Sequence, residues 1–140
     1  MPTPTAKRGS ARTKARKRAL DILFEADLRG VDPLTVLADQ VALADPPVRP
    51  FSSELVEGVS TNRVAIDQLI AGALADGWTL ERMPRVDRNL ARIAVYEIVH
   101  TEVSDQVAVA ECVALAQELS TDDSATFLNG MLRTVAAGRG

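Results

Sequence analysis

The sequence predicts an all-α protein, a compact bundle of about seven helices with short connections, on three observations. Apolar residues make up 46% of its 140 positions but aromatics only 4%, so the core must be built from Leu, Val, Ile and Ala. Such an Ala- and Leu-rich, aromatic-poor composition favours helices over a sandwich or barrel. The apolar residues recur three and four apart, which puts them on one face of a helix. Gly, Pro and capping residues divide these stretches at short intervals. At this length a single domain with a real core is expected.

Pro2, Pro4 and Gly9 make residues 1–10 a poor helix, expected to be a flexible basic arm ahead of a single all-helical domain over 11–140. From about Ala11 to Arg29, the residues Ala15, Ala19, Ile22, Leu23 and Ala26 keep helical spacing, and Gly30 supplies the stop. Asp32-Pro33 starts a short helix to about Leu43, with Asp as cap and Pro in the first turn. Asp45 to Pro50 is a break. A third helix follows from Phe51 through Leu55, Val56 and Val59, and Ser60-Thr61-Asn62 either kinks it or caps a new start. Ile66, Leu69, Ile70, Ala73 and Leu74 continue toward Gly77, and Thr79 caps a single turn before Pro84. Val86, Leu90, Ile93, Ala94 and Ile98 form the next stripe, to about His100. Ser104 or Asp105 caps a helix carrying Val109, Ala110, Val113, Ala116 and Leu119 inward. The last helix follows Ser120 to Ser124, with Phe127, Leu128, Met131, Leu132 and Val135 on one face. Gly130 inside that helix implies close approach of another helix, with Asn129 bonding in the same crowded place. No 20–50-residue period repeats, so a solenoid is not expected.

The net charge of −3 conceals a strong asymmetry. Residues 1–18 hold seven basic residues and no acid, whereas the remainder holds nine basic and nineteen acidic residues, a balance of −10. Such an end either binds a polyanion or is a solvated tail. Met1 to Ser10 lacks an apolar stretch, so no secretory signal is expected, and no apolar run is long enough to span a membrane. The lone Cys112 cannot form an internal disulfide and fits a reducing cytoplasm. With one histidine, His100, and that one cysteine, no His/Cys metal cluster can be assembled. Cys112 lies in an apolar stretch and reads as structural rather than nucleophilic. Neither GxGxxG nor GxxxxGK occurs, and Asp122-Asp123 suits a helix start better than acid–base work. Trp78 is expected to anchor a turn to the core. No catalytic residue, metal or cofactor is expected, and the chain reads as a non-catalytic binding protein.

Three local patterns then carry a resemblance: Arg12 to Phe24 (RTKARKRALDILF), Pro84 to Ile98 (PRVDRNLARIAVYEI) and Leu119 to Leu132 (LSTDDSATFLNGML). In this order and spacing, with support from Gly58 to Asn62 and Val109 to Ala116, they closely resemble the NusB family of bacterial transcription antitermination factors. The resemblance runs from Arg12 to Ala136, and the DSxxFLNG stretch is its most specific piece. It implies two small helical subdomains. It also implies a cytoplasmic protein that binds boxA RNA of ribosomal RNA transcripts with NusE, a factor that is also a small-subunit ribosomal protein. The pair would help assemble an antitermination complex on RNA polymerase.

Arg12, Lys14 and Arg16 occupy positions matching the family's RNA-contacting motif. Arg12 and Arg16, four apart, are expected to project from one helix face with Lys14 and Lys17 flanking. Arginines fork onto phosphates and stack on unpaired bases, which suits single-stranded RNA. Thr13 stands where relatives often carry Arg, so one contact is missing or comes from Lys17 or Arg18. Asp123 matches a position that influences RNA affinity, either by accepting a hydrogen bond from a base or by capping the last helix; its charge would hold affinity down. Phe127 matches a position beside the RNA surface, but its spacing also fits the core, and both readings stand. For NusE the resemblance points to Phe24, Glu81, Asp87 and Arg88, the last two expected to be exposed beside the apolar stripe. Phe24 falls where many relatives carry Tyr.

The rival reading is a helical protein-interaction module without specific RNA binding. The same helical module precedes some RNA-methyltransferase domains, but the sequence ends at Gly140 and no cofactor-binding sheet is expected. Oligomeric state stays open, a homodimer among the alternatives.

Overall fold

In the computed structural model, residues 4–43 and 46–138 are described, with side chains from Ala11 onward. Met1 to Thr3, the start of the expected arm, lie outside the described residues, as does Asp45 of the expected break. The helices are α1 (Pro4–Arg29), α2 (Pro33–Leu43), α3 (Pro50–Thr61), α4 (Arg63–Ala73), α5 (Arg85–His100), α6 (Asp105–Leu119) and α7 (Asp122–Gly138). A single 3-10 turn, Leu80–Arg82, precedes α5, and no strand occurs among the described residues. Seven helices were expected.

The ends follow local chemistry. Gly30 turns the chain out of α1 at φ +68°, a conformation that a side chain disfavours. Asp32 Oδ1 accepts from the Leu34 amide and so starts α2. Ser104 Oγ accepts from the Val107 amide at the start of α6, and Thr121 Oγ1 accepts from the Ser124 amide at the start of α7. The latter bond corrects the capping alternative for Asp123: Thr121, one residue before the helix, holds the cap. α1 begins at Pro4 rather than near Ala11. Pro4 heads the helix, where proline needs no amide bond, and one interior Gly9 does not stop a helix of 26 residues.

The chain folds as two compact units, Met1–Ser60 and Thr61–Gly140. In the first, α1 packs on α2 and buries Ala15, Ala19, Leu20, Ile22, Leu23 and Ala26. Val36 and Leu37 of α2 and Leu55, Val56 and Val59 of α3 are buried as well. Ser52, wholly buried, donates from Oγ to the Ala15 carbonyl at 2.7 Å, fastening α3 to α1. In the second unit α5 packs against α4, α6 and α7, burying Leu90, Ile93, Ala94, Val95 and Ile98.

α5 also buries polar groups that no apolar pattern announces. Arg92, 4% exposed, forks onto Asp67 of α4 at 2.9 and 3.2 Å and donates to Asn89 Oδ1 at 3.1 Å. Asn89 in turn donates to the Arg85 carbonyl. A guanidinium and carboxylate paired in this bidentate way satisfy each other inside a helix bundle.

Two expectations for the second unit need correction. The buried residues of α6 are Ala108, Cys112, Leu115 and Ala116, whereas Ala110 and Leu119 are exposed. Val109, Ala110 and Val113 instead line an open groove of about 680 Å³ with Ala125, Asn129 and Arg133 of α7. Small and apolar residues sit on both faces of α6, so spacing alone selects the wrong one. Gly130 is exposed, and a Cβ there would meet nothing within 4 Å. No helix approaches it among the described residues, and Asn129 accepts from Arg133 one turn on rather than from a crowded neighbour.

Candidate nucleic-acid interface

The basic stretch of α1 is presented by contacts from α3. Arg12 is exposed, and its Cζ lies 4.3 Å from the Phe51 ring centroid. Arg16 follows one turn later at 5.3 Å from the same ring, but it is only 3% exposed. The two arginines share one face, as expected, but Arg16 is covered rather than projecting. Its stem lies on the side of α1 that faces Phe51, and a flat, weakly hydrated guanidinium tolerates such cover. Arg12 is left as the outward member, with Phe51 beneath it.

Lys14 is exposed and Lys17 half-buried. Both line a cleft of about 500 Å³ with Arg18, Asp21, Pro46, Pro47 and Arg49. Four cations thus meet one acid. Arg18 donates to Gln40 Oε1 and the Pro46 carbonyl, and Arg49 donates from Nη1 to the Ala11 carbonyl at 2.9 Å. The sequence gives no sign of Arg49, which comes from a proline-rich break 38 residues away. The carboxyl of Asp21 is pushed above the ordinary range by burial, against the pull of Arg18 and Lys17. Phe24 of α1 is half-buried.

The residues singled out in the second unit separate into exposed and buried sets. Asp123 is exposed in the first turn of α7, and Phe127 is half-buried one turn further on. Phe127 is therefore neither wholly core nor wholly surface, and its ring meets Trp78 at 6.2 Å between centroids, tilted by 40°. Trp78 is 52% exposed, so it does not anchor its turn in the core as expected. The surrounding loop is held by backbone bonds and by Arg82 Nη1 on the Gly77 carbonyl instead.

Glu81 is exposed and Arg88 half-buried, donating to the Leu80 carbonyl. Asp87 is 3% exposed, which corrects its expected place beside Arg88 on the surface. Its two oxygens accept from Ser120 Oγ at 2.7 Å and Ser124 Oγ at 2.6 Å. The carboxylate is drawn inward because it is the acceptor that joins the start of α5 to the α6–α7 turn.

Among the described residues no group of three or more His, Cys, Asp and Glu is placed to hold a metal, and no helix is long and apolar enough to cross a membrane. Cys112 is buried, and burial, with Asp87 and Glu97 adding to it, pushes its thiol up to about 12.

The family model described as the NusB family matches residues 13–137. The chain belongs to the NusB family. A transcription antitermination protein NusB of Acidothermus cellulolyticus is 58% identical over 130 residues, covering 92% of this chain and 89% of that one. The NusB structure of T. maritima superposes with a TM-score of 0.79 at 27% identity, covering 98% and 93% of the two chains. A structure of antitermination factors NusB and NusE in complex with dsRNA also shares the fold, with a TM-score of 0.79 at 23% identity, covering 91% and 96%. NusB proteins are non-catalytic transcription antitermination factors, and this chain is not an enzyme.

Proposed function

We propose that this NusB-family chain binds boxA-type single-stranded RNA of ribosomal RNA transcripts together with NusE. In that role it helps assemble the antitermination complex on RNA polymerase in the cytoplasm. The observation that carries this reading is the cationic face of the first unit. Exposed Arg12 rides on the Phe51 ring, and exposed Lys14 lines a cleft with Lys17, Arg18 and Arg49 whose lining holds one acid, Asp21. Phosphates neutralised by such a face release counterions, and arginine planes stack on unpaired bases. A fold relative has been captured with NusE and dsRNA, which supports NusE and RNA as classes of partner. Phe24, Glu81 and Arg88 remain the proposed NusE contacts, while Asp87 supports them from within.

The test is fluorescence anisotropy of a labelled boxA-type RNA across a salt series, with and without NusE. NusE is expected to tighten binding. Arg12→Ala and Lys14→Ala are each expected to weaken it and to reduce the log–log salt slope by about 0.7 per lost phosphate contact. Arg16→Ala, at a buried position, should act through folding rather than through the slope. Asp123→Asn should tighten binding by removing an exposed negative charge. A chain that binds neither RNA nor NusE would leave the interaction-module reading in its place.

A further inference from the structure

The chain has three lysines, Lys7, Lys14 and Lys17, and thirteen arginines, and beyond residue 18 all nine basic residues are arginine. A guanidinium stays protonated and does not take up acyl groups, whereas a lysine amine that has lost its proton is a nucleophile. The reactive side-chain amines are therefore gathered in the stretch of α1 that carries the cationic face. Lys14 is exposed there, while Lys17 is half-buried. Asp21, the one acid in the cleft lining, feels the charges of Arg18 and Lys17. Lys14 shares its face of α1 with Arg18, four residues on, and lines the cleft of about 500 Å³ with Arg18 and Arg49.

The two arginines are fixed in place. Arg18 Nη2 donates to Gln40 Oε1 at 3.0 Å and to the Pro46 carbonyl at 3.2 Å. Arg49 Nη1 donates at 2.9 Å to the carbonyl of Ala11, one turn before Lys14. Each guanidinium carries five N–H groups, so bonds made through one nitrogen leave others to fork onto phosphate oxygens. We propose that Lys14 is an acylation site, supplied by an acyl phosphate whose phosphate end Arg18 and Arg49 hold, and that its acylation weakens RNA binding. The second half rests on the RNA-binding reading above. In the step, the unprotonated Nζ of Lys14 attacks the acyl carbon. The C–N bond forms, the C–O bond to phosphate breaks, phosphate leaves with the electron pair, and the amine's proton passes to water. The amide that results has no charge, so one cation is lost where an RNA phosphate would be neutralised. Bound RNA covers the same amine, so RNA and acylation compete for it.

The experiment incubates the full chain with acetyl phosphate, and in parallel with an uncharged acetyl ester, and maps the modified lysines over time by peptide mass spectrometry. Acetyl phosphate is expected to modify Lys14 ahead of Lys7 and Lys17, and inorganic phosphate should slow that reaction. Arg49→Ala should abolish the preference for Lys14 with acetyl phosphate but leave the pattern with the uncharged ester unchanged. A thermal melt by circular dichroism shows that the variant is folded. The acetylated chain should bind labelled boxA-type RNA about five-fold more weakly near 0.1 M salt, with a log–log salt slope smaller by about 0.7. Lys14→Arg, which keeps the charge and removes the amine, should hold its RNA affinity through the same treatment.

If acetyl phosphate modifies the three lysines at equal rates, or Arg49→Ala leaves Lys14 as reactive as before, the site is overturned and the RNA-binding reading survives. If Lys14 is acetylated first but the modified chain binds RNA like the parent, the effect on RNA is overturned and the RNA-binding reading again survives. If the unmodified chain does not bind RNA at all, that reading falls and takes the effect on RNA with it. The acetylation map then decides the Lys14 site by itself.

Discussion

Gly130 shows how one residue can be named correctly and explained wrongly. A glycine in the middle of a strong helical pattern suggests that something approaches closely, yet the space where a Cβ would stand is open. Without a neighbour to accommodate, the glycine only adds backbone freedom to the unfolded chain. Gly130→Ala is therefore expected to raise stability by about 0.5–1 kcal/mol, read as a higher midpoint in urea unfolding. A lower midpoint would show that a group does approach α7 at that point. Arg16 and Asp87 pose the same problem at charged positions. Their places in the NusB pattern were legible, but their burial depends on Phe51 and on Ser120 and Ser124, partners at least 33 residues away. Nothing local in a sequence encodes such a partner.

Elements were legible where punctuation is strong. Gly30, Asp32-Pro33, Ser104 and the Ser120 to Ser124 run each marked a boundary that the structure keeps within a residue or two. The face of α6 was not legible, because Val109 and Val113 on one side compete with Cys112 and Leu115 on the other. Only the position of α5 and α7 decides between them. The turn joining α6 to α7 illustrates what holds such elements in place. Asp87, in the first turn of α5, accepts from two serine hydroxyls of that turn. Asp87→Ala removes the acceptor and leaves part-buried hydroxyls to find water, a loss of about 1–3 kcal/mol. Chemical denaturation should show that loss. An unchanged midpoint would mean that the turn stands without its carboxylate.

At the scale of the molecule, two units each bury an aliphatic set, and the second also buries the Asp87 and Glu97 carboxylates and the Cys112 thiol. Cys112 gives that arrangement a measurable pH signature. Its thiol is held up to about 12 by burial and then by the Asp87 and Glu97 carboxylates, against an ordinary 9.0. A raised folded value favours the neutral thiol. The resulting stability is fully present below pH 9 and is lost as pH rises toward 12. Urea unfolding at rising alkaline pH should show a steeper decline in the parent than in Cys112→Ala, since lysine titration is common to both. Alkylation by iodoacetamide at pH 8 should be negligible until denaturant is added. Ready modification of the folded protein would place the thiol at the surface.

The bond between Arg92 and Asp67 also constrains how this chain can drift over generations. Loss of Asp67 takes its carboxylate from the buried Arg92 guanidinium, and loss of Arg92 leaves Asp67 to Arg63 at 2.9 Å, whereas replacing both by apolar residues of similar bulk is often close to neutral. The two positions therefore inherit one another's history. A lineage can leave this pairing only through a less stable ancestor or by a double change, and each position's tolerance to mutation is set by what stands at the other. Asn89, which accepts from the same guanidinium, is drawn into that dependence as a third member.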